Sequence, residues 1–135
     1  MKVIVCLDDN GGMLFNNRRQ SRDKVLLSDV MESLNDEKLN ISSFSEKLFS
    51  DYSERVCVDD DFMNSADENS VCFVENKDLS AFVHKISEII VYKWNRAYPS
   101  DFKCTIDFSS FRLVSETEFK GLSHENITKQ VYVKI

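Results

Sequence analysis

The densest group of side chains able to bind an anion lies between residues 17 and 23. Three guanidinium groups, from Arg18, Arg19 and Arg22, occur within five positions. Guanidinium groups bind phosphate and carboxylate through paired hydrogen bonds. We therefore expect a ligand site in this segment, formed by Asn17, Arg18, Arg19, Gln20, Ser21, Arg22 and Asp23. The alternative is a solvated basic loop in which one arginine pairs with Asp23.

A second group able to bind a ligand follows an apolar run near residue 94. Trp94 and Tyr98 flank Asn95 and Arg96. Aromatic rings can stack on a planar ligand, and the amide and guanidinium groups can hydrogen-bond to its edge. The same residues are also typical of a loop that packs through its aromatic side chains and proline, so both interpretations stay open.

The histidines and cysteines indicate neither a metal site nor a nucleophile. His84 lies off the apolar face of its predicted helix, and Ser123 and His124 are neighbours in a predicted hairpin turn, where adjacent side chains diverge. We therefore interpret His84 as a surface residue and His124 as a turn residue. The four cysteines are scattered without a C-x-x-C pair and are expected to be buried free thiols. We expect no metal and no cofactor.

The first apolar run ends in a glycine pair. Val3 to Leu7 is entirely apolar, which predicts a strand buried on both faces, and Gly11 and Gly12 follow in a polar turn. Glycine allows positive φ angles and close approach of a ligand to the backbone. The turn is either a binding site at the strand end or an ordinary tight turn.

Apolar periodicity predicts alternating strands and helices over the first two-thirds of the chain. Three helices are predicted, at 23–34, 43–50 and 77–86, the first with Asp23 as either its N-cap or an acid in its first turn. Strands are predicted at 3–7, 39–41, 55–58, 71–74, 89–94, 104–108, 111–115 and 127–135. Residues 59–69 form an acidic stretch without the glycine of a calcium loop, so we expect a solvated connection. The order predicts an α/β fold with a mixed, mostly parallel sheet and antiparallel C-terminal strands.

Length and charge exclude several classes of protein. The 135 residues suffice for one domain, 1–135, and the net charge of -6 argues against binding to duplex DNA or to an anionic membrane surface. No apolar run reaches the roughly 18 residues of a spanning helix. The chain begins with a predicted strand rather than a signal segment, so we expect a cytoplasmic protein.

The order of elements and several short motifs resemble the dihydrofolate reductase family. Asp8-Asp9-Asn10-Gly11-Gly12-Met13-Leu14 is similar to that family's D-x-N-x-G-I-G turn, with the last glycine replaced. Ile89 to Tyr92, Tyr98 to Asp101 and the segments 111–115 and 131–133 resemble its final strand, loop and hairpin. The resemblance implies a three-layer sandwich with a reductase-type cleft.

The departures from that family fall on its chemistry. The position of its acidic residue on the first helix is close to Leu26, and its partner threonine corresponds to Tyr92. The proline-tryptophan pair of its loop corresponds to Gln20-Ser21, and its two cofactor turns correspond to 41–44 and to Glu75-Asn76. A carboxylate where a phosphate would bind repels it. The resemblance therefore implies the fold without ordinary reductase activity.

These observations leave three hypotheses about function. The first is a diverged reductase-like protein that binds a small anionic or heteroaromatic molecule through the 17–23 segment. The second is a hydrolase or ribonuclease acting on a phosphorylated substrate; the metal-dependent kind is excluded because two distant histidines cannot supply its H-x-H-x-D-H motif. The third is residual reduction with NADPH. An exposed edge on the C-terminal hairpin could also pair with a second copy in a homodimer.

Overall fold

The computed structural model describes residues 1–135 and contains ten strands in two sheets. In chain order the strands are β1 (Lys2–Leu7), β2 (Gly12–Phe15), β3 (Arg18–Arg19), β4 (Leu39–Ile41), β5 (Val56–Val58), β6 (Val71–Phe73), β7 (Glu88–Lys93), β8 (Phe102–Lys103), β9 (Phe111–Phe119) and β10 (Ile127–Lys134). The larger sheet has the order β5-β4-β6-β1-β7-β10-β9, and the smaller has the order β3-β2-β8.

The larger sheet is mixed, as the alternation of elements predicts. Its first five strands, β5 to β7 in spatial order, are parallel, whereas β10 is antiparallel to both β7 and β9. Because the parallel strands run the same way, their carboxyl ends meet at one edge of the sheet. The residues that follow β1, β4, β6 and β7 are therefore brought together there, which is where ligands bind in open parallel sheets.

Each face of the larger sheet packs against its own hydrophobic core. On one face Val3 and Val5 of β1 contact the small sheet, a short helix α2 (Phe62–Ser65) and residues 79–86. On the other face Ile4 packs against helix α1 (Lys24–Glu32) and Phe49. Alternate residues of a strand point to opposite faces, so an all-apolar strand requires both layers. The result is a three-layer α/β sandwich.

Helix α1 begins at the residue that the sequence predicts. Asp23 is its N-cap and accepts hydrogen bonds from the backbone N–H groups of Val25 and Leu26, at 2.9 and 3.4 Å. Leu26, Leu27, Val30 and Met31 form its buried face. A side-chain acceptor here satisfies N–H groups that have no partner within the helix.

The other two predicted helices are 3-10 helices with different bounds. Residues predicted as helix 43–50 belong to a longer 3-10 run, Ser43–Arg55, which is interrupted at Phe49 and Tyr52. Helix 77–86 is a 3-10 helix at Leu79–Lys85, capped by Asp78. A 3-10 helix rises about 2.0 Å per residue against about 1.5 Å in an α-helix, so a short connection spans more of the sheet.

Two further predictions are wrong. The segment 104–108 is not a strand: the strand in this region is β8, at Phe102–Lys103, which pairs with β2, and Asp107 caps a 3-10 turn at Phe108–Ser110. The acidic stretch 59–69 is not wholly solvated, because Phe62 and Met63 of α2 are buried in the first core. Its carboxylates remain at the surface while the two apolar residues between them cover the sheet.

The four cysteines are all free thiols, but they do not share one environment. Cys72 is buried and Cys57 is exposed on the edge strand β5, so the expectation that all four are buried is wrong for Cys57. Burial raises the pKa of the Cys72 thiol to about 11.

None of the helices has the length and apolar character needed to cross a membrane.

Candidate functional site

A tight hairpin presents the basic residues of the 17–23 segment. Strands β2 and β3 are joined by Asn16 and Asn17, whose φ angles are 52° and 58°. Two consecutive positive φ angles are typical of the type I′ turn that fits the twist of a hairpin, and asparagine tolerates them well. The hairpin places Arg18 and Arg19 on β3, and the chain then runs through residues 20–22 to the start of α1.

The arginines line an open groove, which we call the arginine groove. It is lined by Asn17, Arg18, Arg19, Ser21, Arg22 and Phe44. Arg18 and Arg22 are exposed, and neither has a carboxylate within ion-pair distance or a side-chain hydrogen bond. The groove therefore holds two cations without a counter-charge from the protein.

Arg19 is bound differently, because its guanidinium forms a two-point ion pair with Glu75. The Nε of Arg19 donates to Oε2 of Glu75, and its Nη2 donates to Oε1 at 2.6 Å. Ser45 Oγ also donates to Oε1, at 2.7 Å, and the Arg19 guanidinium lies 5.3 Å from the centre of the Phe44 ring. Glu75 follows β6 at the carboxyl edge of the sheet and is buried. This pair separates the arginine groove from the space beneath it.

Next to the Arg19–Glu75 pair lies a narrow space, the inner cleft, which both side chains line and which has room for little more than a water molecule. Its floor is mainly apolar and includes Leu26, Leu27, Phe73 and Trp94. Gln20 also lines it, and its Oε1 is a buried polar atom without a hydrogen-bond partner. This buried acceptor can take a hydrogen bond from a donor group that enters the cleft.

Asp23 and His124 form a buried pair next to Ser21, one of the residues that line the arginine groove. Nδ1 of His124 lies 3.0 Å from Oδ2 of Asp23, and both side chains are almost fully buried. Nε2 of His124 lies 3.0 Å from Ser21 Oγ and 3.2 Å from the Tyr98 hydroxyl. The His124 ring stacks on Trp94 with its centre 4.6 Å from that of the indole. His124 lies in the turn between β9 and β10, as predicted, but its side chain is buried in this network.

The carboxylate of Asp23 holds the loop that carries His124. Its Oδ1 accepts from Leu122 N at 3.0 Å, and its Oδ2 accepts from Ser123 N at 2.8 Å. Burial alone would raise the pKa of Asp23, but the hydrogen bonds from His124 and from these backbone groups outweigh it and hold the pKa well below its ordinary range. A Cβ on Gly121 would lie 2.5 Å from Oδ2 of Asp23, so only glycine lets the loop approach so closely.

The second predicted group divides between this network and the surface. Trp94 is buried, and one face of its indole is covered by His124. Tyr98 contacts His124, whereas Asn95 and Arg96 are exposed and line a depression on the other side of Trp94 and His124, together with Glu125 and Asn126. The Asn95 amide donates to Asn126 O at 3.1 Å and to Thr128 Oγ1 at 2.9 Å. The structure thus brings Trp94 and Tyr98, but not Asn95 and Arg96, to the 17–23 segment.

The glycine pair forms a tight turn filled by the protein's own side chains. Oδ1 of Asp8 accepts from Asn10 N at 2.9 Å and from Gly12 N at 2.7 Å. Burial would raise the pKa of Asp8, but hydrogen bonds from backbone N–H groups and from Gln20 lower it. A Cβ on Gly12 would lie 2.6 Å from Ser100 Oγ and 2.7 Å from Gln20 Nε2. The close approach that Gly12 allows is therefore made by these side chains.

The positions that the reductase resemblance identifies carry a different set of contacts. Leu26 is buried and lines the inner cleft where that family has an acid. The Tyr92 hydroxyl donates to Oδ2 of Asp29 at 2.6 Å, and Lys129 Nζ lies 2.8 Å from the same oxygen. Burial, together with the neighbouring Asp29 carboxylate, raises the pKa of Tyr92. Asp29 is therefore neutralised by a lysine on β10 rather than directed into the cleft.

The three-layer arrangement, the strand order and the antiparallel C-terminal strands define a dihydrofolate reductase-like fold. Among solved structures, the chain is similar to dihydrofolate reductase from Enterococcus faecalis complexed with NADP(H) and RAB-propyl. The TM-score is 0.71 at 13% sequence identity, and the match covers 98% of this chain and 95% of the other. No protein-family model and no curated protein sequence matches the chain.

Two central residues of the site are absent from the sequence-based prediction of it. His124 is 101 positions from Asp23, and Glu75 is 56 positions from Arg19, so no local motif links either pair. Glu75 follows a predicted buried strand, which places a carboxylate at the carboxyl edge of the sheet. This position after a buried strand could have identified Glu75 as a residue of the site. For His124 the useful signal was Gly121 three residues earlier, which permits close packing of the turn.

Proposed function

We propose that this protein binds a small anionic ligand in the arginine groove and does not work as an ordinary reductase. The observation that carries the proposal is that Arg18 and Arg22 line one groove without any carboxylate partner. A guanidinium group keeps its charge at all physiological pH values. Two such groups in one concave surface attract a ligand with paired oxygen atoms, such as a phosphate, a pyrophosphate or a carboxylate.

The surroundings of the groove favour a small ligand over a dinucleotide. Glu75 places a buried carboxylate at the carboxyl end of β6, where it repels a phosphate. Nearby, Ser42 Oγ donates to Oδ1 of Asn76 at 3.4 Å, so these side chains are already paired with each other. We therefore propose that NADPH is not a cofactor of this chain, although the similar reductase is described as a complex with NADP(H).

The inner cleft extends the proposal to a ligand with a flat ring. A heteroaromatic group would lie on the apolar floor and donate a hydrogen bond to Gln20 Oε1, while its anionic group reached the arginine groove. A ring would enter only if the Arg19–Glu75 pair opened, because both side chains line the cleft and the space between the lining residues holds little more than a water molecule. An anion in the groove would favour opening, since it offers Arg19 a second partner.

A thermal melt of the purified protein with pyrophosphate tests the proposal. At a hundredfold excess over its dissociation constant a ligand adds about 2.7 kcal/mol, which shifts the midpoint by on the order of ten degrees in a domain of this size. We expect such a shift with pyrophosphate and none with NADPH. Arg18→Gln and Arg22→Gln should each reduce the shift with pyrophosphate.

The matched control is Arg112→Gln, because Arg112 is exposed on β9 and has no ionic partner either. This variant changes the net charge equally and should keep the full shift. An equal loss in all three variants would mean that the anion responds only to overall charge. A shift with NADPH that survives Arg18→Gln would contradict the proposal and would require an assay of reductase activity.

A further inference from the structure

Ser21, His124 and Asp23 are aligned in the order that nucleophilic catalysis requires. Nδ1 of His124 faces a fully buried carboxylate at 3.0 Å, and Nε2 on the opposite side of the ring faces Ser21 Oγ at 3.0 Å. A carboxylate only accepts hydrogen bonds, so it fixes the proton of the neutral imidazole on Nδ1. Nε2 is then the acceptor for the hydroxyl proton of Ser21.

The histidine is held rigidly by groups on several elements. Trp94, at the end of β7, stacks on the ring, and Ser123 Oγ lies 3.2 Å from Nδ1. The Tyr98 hydroxyl also reaches Nε2, at 3.2 Å, so it competes with Ser21 for the same lone pair. The serine contact is the shorter of the two. Because its tautomer and the orientation of its ring are both fixed, the imidazole is positioned to accept the proton of Ser21 in each catalytic cycle.

Ser21 also lies where a substrate could reach it. It is half-buried and lines both the arginine groove and the inner cleft. The backbone N–H groups of Ser21 and Arg22 donate to no acceptor in the protein and are therefore available as hydrogen-bond donors. Nucleophile, base, free donors and a cationic groove therefore meet at one place.

We propose that Ser21 and His124, oriented by Asp23, form a hydrolytic site for an ester whose acyl group carries a negative charge. The charge of the substrate rests on the anion binding proposed above, whereas the nucleophile and base rest only on the geometry of the three side chains. Arg18 and Arg22 would bind the anionic end of the acyl group while Ser21 attacks its carbonyl carbon.

The reaction balances with water as the only co-substrate. As Ser21 Oγ bonds to the carbonyl carbon, its proton passes to Nε2 of His124. Collapse of the tetrahedral intermediate breaks the bond to the alcohol, which leaves with the proton from Nε2. Water then loses a proton to Nε2 and attacks the acyl-serine, and Ser21 regains a proton as the acid departs. Asp23 stays ionised throughout.

Labelling with a fluorophosphonate probe tests the nucleophile directly. Attack by Ser21 forms an oxygen–phosphorus bond and expels fluoride, and peptide mass spectrometry locates the adduct. We expect one adduct, on Ser21, that is absent in Ser21→Ala and slowed about 100-fold or more in His124→Gln. The matched controls are Ser115→Ala and His84→Gln, because both residues are exposed and lie outside the network. No adduct, or an adduct on another residue, overturns the proposal.

Ester turnover provides the second measurement. We expect mono-4-nitrophenyl glutarate, whose acyl group ends in a carboxylate, to be hydrolysed with a higher kcat/KM than neutral 4-nitrophenyl acetate. Both activities should be lost in Ser21→Ala. The fluorophosphonate adduct is mapped on the wild-type protein, so the labelling experiment tests the proposal even if the His124→Gln variant does not fold.

The anion-binding proposal and the hydrolytic proposal are overturned by different results. Binding of pyrophosphate without an adduct on Ser21 overturns the hydrolytic site and leaves the arginine groove. An adduct on Ser21 without pyrophosphate binding, and with no preference for the anionic ester, supports the nucleophile and overturns the anionic substrate.

Discussion

Asp23 is the single residue on which the geometry of the site depends most. It caps α1 through Oδ1 and fixes the Leu122–His124 loop through both oxygens. Its side chain is completely buried, so an unpaired charge there would be costly, yet both oxygens accept several hydrogen bonds. One carboxylate thus links the start of the first helix to a turn about a hundred residues later.

The lowered pKa of Asp23 predicts a loss of stability in acid. The folded protein binds a proton at Asp23 less readily than the unfolded chain does, so protonation favours unfolding. The contribution is complete at neutral pH and is lost as the pH falls below about 4, toward the lower folded pKa. Urea unfolding at a series of pH values measures it.

A comparison of the Asp23→Asn variant with the wild type distinguishes the pH dependence of stability that is due to Asp23 from that of the other carboxylates. The variant should be less stable at pH 7, and the stability difference from the wild type should shrink as the pH falls through that range. A difference that stays constant between pH 7 and pH 3 would show that Asp23 titrates alike in the folded and unfolded states.

The sequence predicts the individual residues of the site better than their partners. Asp23 as an N-cap is confirmed, because the signal lies within four residues of the helix start. The prediction that the neighbouring side chains of Ser123 and His124 diverge is wrong, because Ser123 Oγ lies 3.2 Å from His124 Nδ1 and both side chains contact Oδ2 of Asp23. That contact depends on the register of β10 with β7 and β9, which places the turn beside α1. No local rule gives such a long-range contact.

At the scale of elements, the ion pair between the β2–β3 hairpin and the end of β6 narrows the inner cleft. The hairpin carries Arg19, and β6 is followed by Glu75, so their ion pair joins the two layers above the inner cleft. A two-point pair between arginine and carboxylate is among the stronger polar contacts. Arg19 is nevertheless partly exposed and can turn toward the groove.

Glu75→Gln should open this ion pair. The substitution removes the charge that holds Arg19, so a third guanidinium becomes free to bind an anion. We expect tighter pyrophosphate binding, together with a loss of about 1–3 kcal/mol in the free energy of unfolding. Calorimetric titration and urea unfolding measure the two effects.

Glu54→Gln is the matched control, because Glu54 is exposed and has no hydrogen bond or ion pair. It makes the same change in net charge and should leave both quantities close to those of the wild type. If the two variants bind pyrophosphate with equal affinity, Glu75 does not restrain Arg19.

The predicted elements that depend on apolar periodicity along the chain are confirmed, whereas the predictions are wrong for the elements that depend on packing between distant segments. The buried parallel strands and α1 appear close to their predicted bounds. The two 3-10 helices and the short strand β8 depend instead on the distances that the connections must span and on the partner that β2 offers at Phe102. Those constraints arise only once the sheet is assembled.

At the scale of the whole molecule, the basic groove contrasts with an acidic protein. The chain carries a net charge of -6, while Arg18 and Arg22 form an unpaired cationic patch. The surrounding negative charge disfavours long polyanions such as duplex DNA, whereas a small anion can enter the groove without approaching the rest of the surface.

One of the two edges of the larger sheet, the edge formed by β9, carries the prediction of a homodimer. Strand β9 is the last strand, and Leu113 and Val114 are 44% and 48% exposed on it. Unpaired strand edges can pair with a second copy. Sedimentation velocity should then detect a dimer that the double substitution Leu113→Asp, Val114→Asp converts to a monomer. A monomeric wild type at high concentration would contradict the prediction.

The arginine groove as an anion site is the central claim, and a nuclear magnetic resonance titration tests it most directly. The side-chain Nε–H signals of the arginines are assigned with single Arg→Gln variants, and pyrophosphate is added to the wild-type protein. We predict saturable shifts in the signals of Arg18 and Arg22, a smaller shift for Arg19 while Glu75 holds it, and none for Arg112 on β9. Equal shifts in every exposed arginine, or shifts confined to residues outside the groove, would contradict the account.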